Sequence, residues 1–188
     1  MAGMSGLEMV AVVTALVMVA FQIRQSAWLY PFGIVSSVLY AVVFYRWGLL
    51  ATAMLQGLFV VLLGYGWVYW LRKGLEGDLP AVKRLSAGGW GVSVLGAGAL
   101  AVVWGAVLAW KSEATLVWVD APLAAASVLG QWLLARKYVE TWLVWIVVNA
   151  GYTVFLGYQG LWMTSGLYLV FFGLAVWGYV AWLRTAGR

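Results

Sequence analysis

Seven runs of apolar residues, each roughly as long as a bilayer core is thick, follow one another with short gaps, and this pattern leaves few folds open. A hydrocarbon core of ~30 Å calls for about 20 residues of helix. Lipid offers no partner to backbone N–H and C=O groups, so a spanning segment must satisfy its own. The runs cover residues 7–23, 27–45, 48–71, 90–110, 116–135, 139–156 and 161–183. The widest gap, 72–89, carries Lys, Glu, Asp, Pro80 and several Gly residues and reads as a solvated loop. With 65% hydrophobic and only 9% charged residues, the chain holds more apolar side chain than a soluble domain of 188 residues can cover. The expected fold class is an all-α integral membrane protein with seven transmembrane helices.

The chain contains no Cys and no His. Disulfides, thiolate chemistry, imidazole-based metal sites and Ser-His or Cys-His nucleophiles are excluded with them. No catalytic residue, metal site or cofactor is expected. The opening residues, MAGMSGLEMV, have no basic segment before their apolar run and do not read as a cleaved signal peptide. The net charge of +5 does not point to nucleic acid, because membrane topology accounts for where the cations lie. Alternating loops place Arg24, Arg72, Lys73, Lys83, Arg84, Arg136, Lys137, Arg184 and Arg188 on one side, and Arg46 and Lys111 on the other. The basic excess marks the cytoplasmic side, so the N-terminus is expected outside and the C-terminus inside. Trp67, Trp70 and Trp182 fall near the cytoplasmic ends of their runs, where interfacial rings are expected.

Sliding the chain along itself by 112 positions reveals an ungapped repeat. Arg72 falls on Arg184, Trp70 on Trp182, Gly66 on Gly178, Phe59 on Phe171, Thr52 on Thr164, Gly48 on Gly160, Tyr40 on Tyr152 and Arg24 on Arg136. Acidic Glu8 falls on acidic Asp120. Shared Leu and Val mean little between apolar helices, whereas charges, Gly and Trp in one register carry the relation. The first three runs therefore repeat as the last three, with the fourth as connector. Three spans reverse the chain direction and a fourth restores it, so the copies are expected parallel, about an axis along the membrane normal. The expected division is a first bundle over 1–72, a loop and linker helix over 73–114, and a second bundle over 115–188. The linker is rich in Gly and Ala, which suits close packing on a neighbour.

The sixth run carries Trp142, Trp145, Asn149 and Tyr152 at spacings that place them on one helix face. The matching face of the second run is Tyr30, Gly33, Ser37 and Tyr40. By a rise of ~1.5 Å per residue, Asn149 and Gln56 each lie roughly 12 Å from the end of their runs, near the midplane. An amide at that depth is costly unless paired. Either residue can serve as hydrogen-bonded packing between helices. Beside an aromatic face, the pair reads better as a site where rings sandwich a flat heterocycle and amides meet its polar edge. Rings would also attract a cationic solute. The candidate substrate-binding set is Gln56, Trp142, Trp145, Asn149, Tyr152, Ser37 and Tyr40. Glu8 and Asp120, near the outer mouth, read as solvated carboxylates or as attractors of a cation.

The stretch GQWLLARKYVETWLVWIVVN, residues 130–149, closely resembles the RKYxENWLLWxxxN segment of the PnuC family of nicotinamide riboside transporters. The stretch LQGLFVVLLGYGWVYW, residues 55–70, resembles the same family's LLQ…YGWxxW segment. The similarity extends over nearly the whole chain. It implies a bacterial inner-membrane vitamin transporter with the 3+1+3 arrangement shared with the sugar-transporting SWEETs. It further implies a homotrimer, and facilitated diffusion of nicotinamide riboside followed by trapping through cytoplasmic phosphorylation. By motif, Gln56, Trp142, Trp145 and Asn149 carry over as substrate contacts. The chain departs at Thr141, where the family usually has Asn, a change of little consequence if Thr141 caps its helix at the membrane surface.

Three other functions are weighed against this one. Another B-vitamin, such as thiamine or riboflavin, would use the same stacking face. A sugar transporter is disfavoured because Pro31, Pro80 and Pro122 do not give each repeat a matching pair of hinges. A membrane-embedded enzyme needs a catalytic cluster that the apolar runs do not offer. The expected partners are a small-molecule vitamin and the lipid bilayer, with no nucleic acid.

Overall fold

A computed structural model describes residues 6–46, 50–76, 80–111, 117–158 and 160–186. Gly48, the repeat partner of Gly160, lies outside these residues, as do Met1–Ser5 and Arg188. The described chain is helical: α1 (Gly6–Ile23), α2 (Leu29–Arg46), α3 (Leu50–Leu75), α4 (Ala87–Lys111), α5 (Val117–Ala135), α6 (Thr141–Tyr158) and α7 (Trp162–Leu183). Six of the seven are long and apolar enough to cross a membrane. The seventh, α5, is interrupted by Asp120, Ser127 and Gln131 and has Pro122 within its first two turns. The expected loop 72–89 is shorter than its composition suggested. Helix α3 continues to Leu75 and α4 begins at Ala87, because backbone groups near the interface are better satisfied in extra helical turns than left open.

Two compact units form, Met1–Pro80 and Ala81–Arg188. In the first, α2 packs against both α1 and α3; in the second, α6 packs against both α5 and α7. Helix α4 packs on α5, where Gly105 lies against the Trp118 ring. The other described glycines of α4 beyond its first turn, Gly91, Gly96 and Gly98, face open space, so close packing involves one position and not a stripe.

Each unit reproduces the same internal joints, and here the 112-residue register becomes physical. Gly66 of α3 receives the ring of Tyr30 from α2, and Gly178 of α7 receives the ring of Trp142 from α6. Tyr30 meets Trp70 edge to face at 5.4 Å and 85°, and Trp142 meets Trp182 at 5.6 Å and 85°. Edge-to-face pairing places the positive rim of one ring on the negative face of the next. Trp70 and Trp182 are 3% and 0% exposed. They are therefore interior wedges and not the interfacial rings their positions suggested, because a glycine one turn away opens a seat for a ring between helices.

The turns match as well. Gln25 and Lys137 occupy the same repeat position and both adopt left-handed backbone, with φ of 57° and 61°. Ser26 N–H donates to the Phe21 carbonyl at 3.0 Å, and Tyr138 N–H to the Leu133 carbonyl at 2.9 Å. The second turn has an addition. The Lys83 N–H donates to the Lys137 carbonyl and the Val139 N–H to the Lys83 carbonyl, each at 2.9 Å. Leu85 then packs on the cluster of Leu133, Val144 and Val148. This strap buries Lys137, and loss of hydration lowers the pKa of its ammonium group.

Candidate substrate-binding site

The candidate residues of the second unit share one face of α6, but their rings lean toward different neighbours. Residues 142 and 149 lie nearly in line along the helix, and 145 and 152 form the adjacent line. Trp142 is 1% exposed, with its ring seated on Gly178 and its indole Nε1 unpaired among the described residues. Its surface is committed to α7. Trp145 turns instead toward α5, where its ring edge approaches Gly130, and its Nε1 is likewise buried and unpaired among the described residues. Thr141 is fully buried and donates its hydroxyl to the Gly130 carbonyl at 2.8 Å. It does not cap α6 at a surface. It ties the first turn of α6 to α5, one helical turn before Trp145, because a hydroxyl at that depth needs an acceptor and a helix carbonyl has a spare lone pair.

Asn149 follows Trp145 by one turn and is 5% exposed. Its carbonyl accepts the Thr153 hydroxyl at 2.7 Å, while its side-chain amide makes no hydrogen bond among the described residues. A buried primary amide holding donors and an acceptor in reserve is suited to meeting a polar ligand. Tyr152, a further turn on, donates to Asp120 Oδ1 at 3.1 Å and lies against Tyr168 at 4.9 Å between centroids. The bond links α6 to α5 at the far end of the bundle from the Thr141–Gly130 link. Tyr152→Phe is expected to lower stability by about 1 kcal/mol, since it leaves a half-buried carboxylate short of a donor. Asp120→Asn, which keeps an acceptor, is expected to cost less. Thermal unfolding of the detergent-solubilised variants measures both.

In the first unit, Ser37 is buried on α2 and Gln56 is half-buried on α3. Tyr40 stacks on Phe44 at 5.7 Å and lies within electrostatic reach of Glu8. Tyr40 and Glu8 stand at the repeat positions of Tyr152 and Asp120. Sequence reasoning missed Ser36, whose hydroxyl donates to the Ala11 carbonyl at 3.0 Å and joins α2 to α1. It also missed Ser165, which donates to the Thr153 carbonyl at 2.7 Å and joins α7 to α6. Both are short hydroxyls in apolar helices, and only spatial neighbours distinguish such residues from solvent-facing ones. No group of three acidic side chains able to hold a metal ion occurs among the described residues.

The profile of the nicotinamide mononucleotide transporter family matches residues 5–184. The chain belongs to that family. Like the family, it is a multi-pass membrane transporter and not an enzyme. The nicotinamide riboside transporter PnuC of Escherichia coli (strain K12) is 25% identical over 212 residues, covering 97% of this chain and 87% of that protein. The riboflavin/roseoflavin transporter RibM of Streptomyces davaonensis is 26% identical over 187 residues, covering 96% and 86%. The nicotinamide riboside transporter PnuC of Neisseria mucosa is 27% identical over 197 residues, covering 98% and 74%. The crystal structure of the vitamin B3 transporter PnuC matches with a TM-score of 0.78 at 25% identity, covering 97% of this chain and 82% of that one.

Proposed function

We propose that this family member takes up nicotinamide riboside across the bacterial inner membrane by facilitated diffusion, with cytoplasmic phosphorylation trapping the product. The observation that carries the proposal is the pairing on α6, one turn apart, of the Trp145 ring, whose buried Nε1 has no partner among the described residues, and the side-chain amide of the buried residue Asn149. Nicotinamide riboside presents a flat, cationic, electron-poor ring bearing a carboxamide. An indole face attracts such a ring by stacking and by its quadrupole. A primary amide meets a carboxamide with one donor and one acceptor. Trp142 serves the site indirectly by fixing α6 against α7. Tyr152 and, in the first unit, Gln56, Ser37 and Tyr40 are proposed as further substrate contacts.

A passive mechanism is favoured because neither Trp145 nor Asn149 hydrogen-bonds a carboxylate that would exchange protons. The acidic residues in question, Glu8 and Asp120, each lie in the first turn of a helix, and Asp120 accepts the Tyr152 hydroxyl. The basic excess supports an N-terminus outside and a C-terminus in the cytoplasm. The repeat supports a 3+1+3 arrangement of parallel bundles over 1–72 and 115–188, joined through 73–114. A homotrimer follows from the family resemblance.

Riboflavin is the second reading, favoured by the similarity to RibM. Calorimetric titration of the purified protein with nicotinamide riboside, riboflavin and thiamine separates the three. Binding of the riboside at least tenfold tighter than the other two is expected. Tighter binding of riboflavin or thiamine would replace the proposed substrate.

A further inference from the structure

The two units place bulk on opposite helices at one repeat-equivalent crossing. In the first, Gly33 of α2 faces the Met18 sulfur of α1, at 2.9 Å from where a β-carbon would stand. Adding 112 to each number gives Trp145 of α6 facing Gly130 of α5, with the indole Cε2 and Nε1 at 3.1 and 3.3 Å from the corresponding point. In the first unit the bulk at Gly33 comes from the outer helices, the Met18 sulfur of α1 and the Leu63 methyls of α3 at 3.2 Å, whereas in the second the bulk at Gly130 comes from Trp145 of the central helix. We infer that Gly130 is the positioning residue for substrate stacking: its missing side chain is what lets the Trp145 ring lie back against α5 and present its face to an electron-poor aromatic ring. The inference rests on the proposed role of Trp145.

Three observations at one place support it. The indole edge stands 3.1–3.4 Å from the place of the absent β-carbon, so an added methyl asks the ring to give by a few tenths of an ångström. The Gly130 carbonyl also accepts the Thr141 hydroxyl at 2.8 Å, so the α6 backbone is pinned to the same residue and cannot retreat with the ring. Trp145 Nε1 has no partner among the described residues, so no hydrogen bond fixes the ring's tilt and packing alone sets it. A displacement of a few tenths of an ångström is small for stability and large for a stacked pair, whose attraction depends on offset and plane separation.

The test compares wild type, Gly130→Ala and Trp145→Ala by thermal unfolding, by calorimetric titration with nicotinamide riboside, and by difference absorbance on binding. An indole stacked on a nicotinamide cation gives a charge-transfer band to the red of either chromophore, a signature that a merely structural residue would not alter. Gly130→Ala is expected to keep the fold, bind at least tenfold more weakly and lose the band. Binding and absorbance equal to wild type would overturn the inference while leaving the role of Trp145 intact. Unchanged binding in Trp145→Ala would remove that role, and the inference with it. If Gly130→Ala fails to fold, Trp145→Phe is compared with the double variant Gly130→Ala with Trp145→Phe, because the shorter ring leaves room for the added methyl. Equal riboside binding by these two supports the inference, and a further tenfold loss in the double variant overturns it.

Discussion

Gly178→Ala is expected to lower the stability of the second unit by about 3 kcal/mol, the upper part of the range for overpacked sites. A mid-helix glycine ordinarily gains up to ~1 kcal/mol on becoming alanine, so a loss would carry the opposite sign. The reason is local. The new β-carbon falls on the six-membered ring of Trp142, which is itself held edge-on against Trp182 with both rings buried. Rotating the ring away breaks that pair; moving α7 opens the interface with α6. Gly66→Ala is expected to act likewise through Tyr30, whose ring atoms lie 2.6–2.9 Å from the added carbon. Trimming the obstructing ring should relieve each clash, so Gly178→Ala combined with Trp142→Leu is expected to be more stable than the sum of the two changes. Thermal unfolding of the four proteins of this cycle measures the coupling. Simple additivity would mean that the repeat joint is not a tight one.

Trp145→Ala and Asn149→Ala are each expected to weaken riboside binding by roughly 10- to 100-fold, but they should differ in stability. Loss of the indole removes a stacking surface worth about 1.5–3 kcal/mol and leaves a void against Gly130. Binding and stability then fall together. Loss of the Asn149 amide removes a group with no hydrogen-bonding partner in the folded protein among the described residues, so nothing else is left unsatisfied. Binding should fall while the unfolding temperature stays within a few degrees. An amide acting as packing between helices would behave in the opposite way. Calorimetry and thermal unfolding on the same preparations separate the two roles.

Much of this was legible in the residues. Helix boundaries fell close to the ends of the apolar runs because a bilayer span has little freedom of length. The repeat was legible because Gly66 and Gly178, Trp70 and Trp182, and Tyr40 and Tyr152 are residues that apolar helices do not share by accident. The direction of individual rings was harder to read. Trp142 and Trp145 have the same chemistry and are three positions apart, yet one is seated on Gly178 and the other on Gly130. That choice depends on which neighbouring helix carries a glycine at the right height. Trp70 and Trp182 look like interfacial anchors by position and are interior by packing for the same reason. The strap at Lys83 left almost no sequence signal, because two backbone hydrogen bonds demand no particular side chain.

Uptake of labelled nicotinamide riboside into liposomes containing only this protein tests the account most directly. The label should enter until inside and outside concentrations are equal, at a rate indifferent to an imposed proton or sodium gradient. It should accumulate beyond that point only when a riboside-phosphorylating enzyme and ATP are sealed inside. Uptake no faster than in protein-free liposomes, or accumulation driven by an ion gradient alone, would contradict the account.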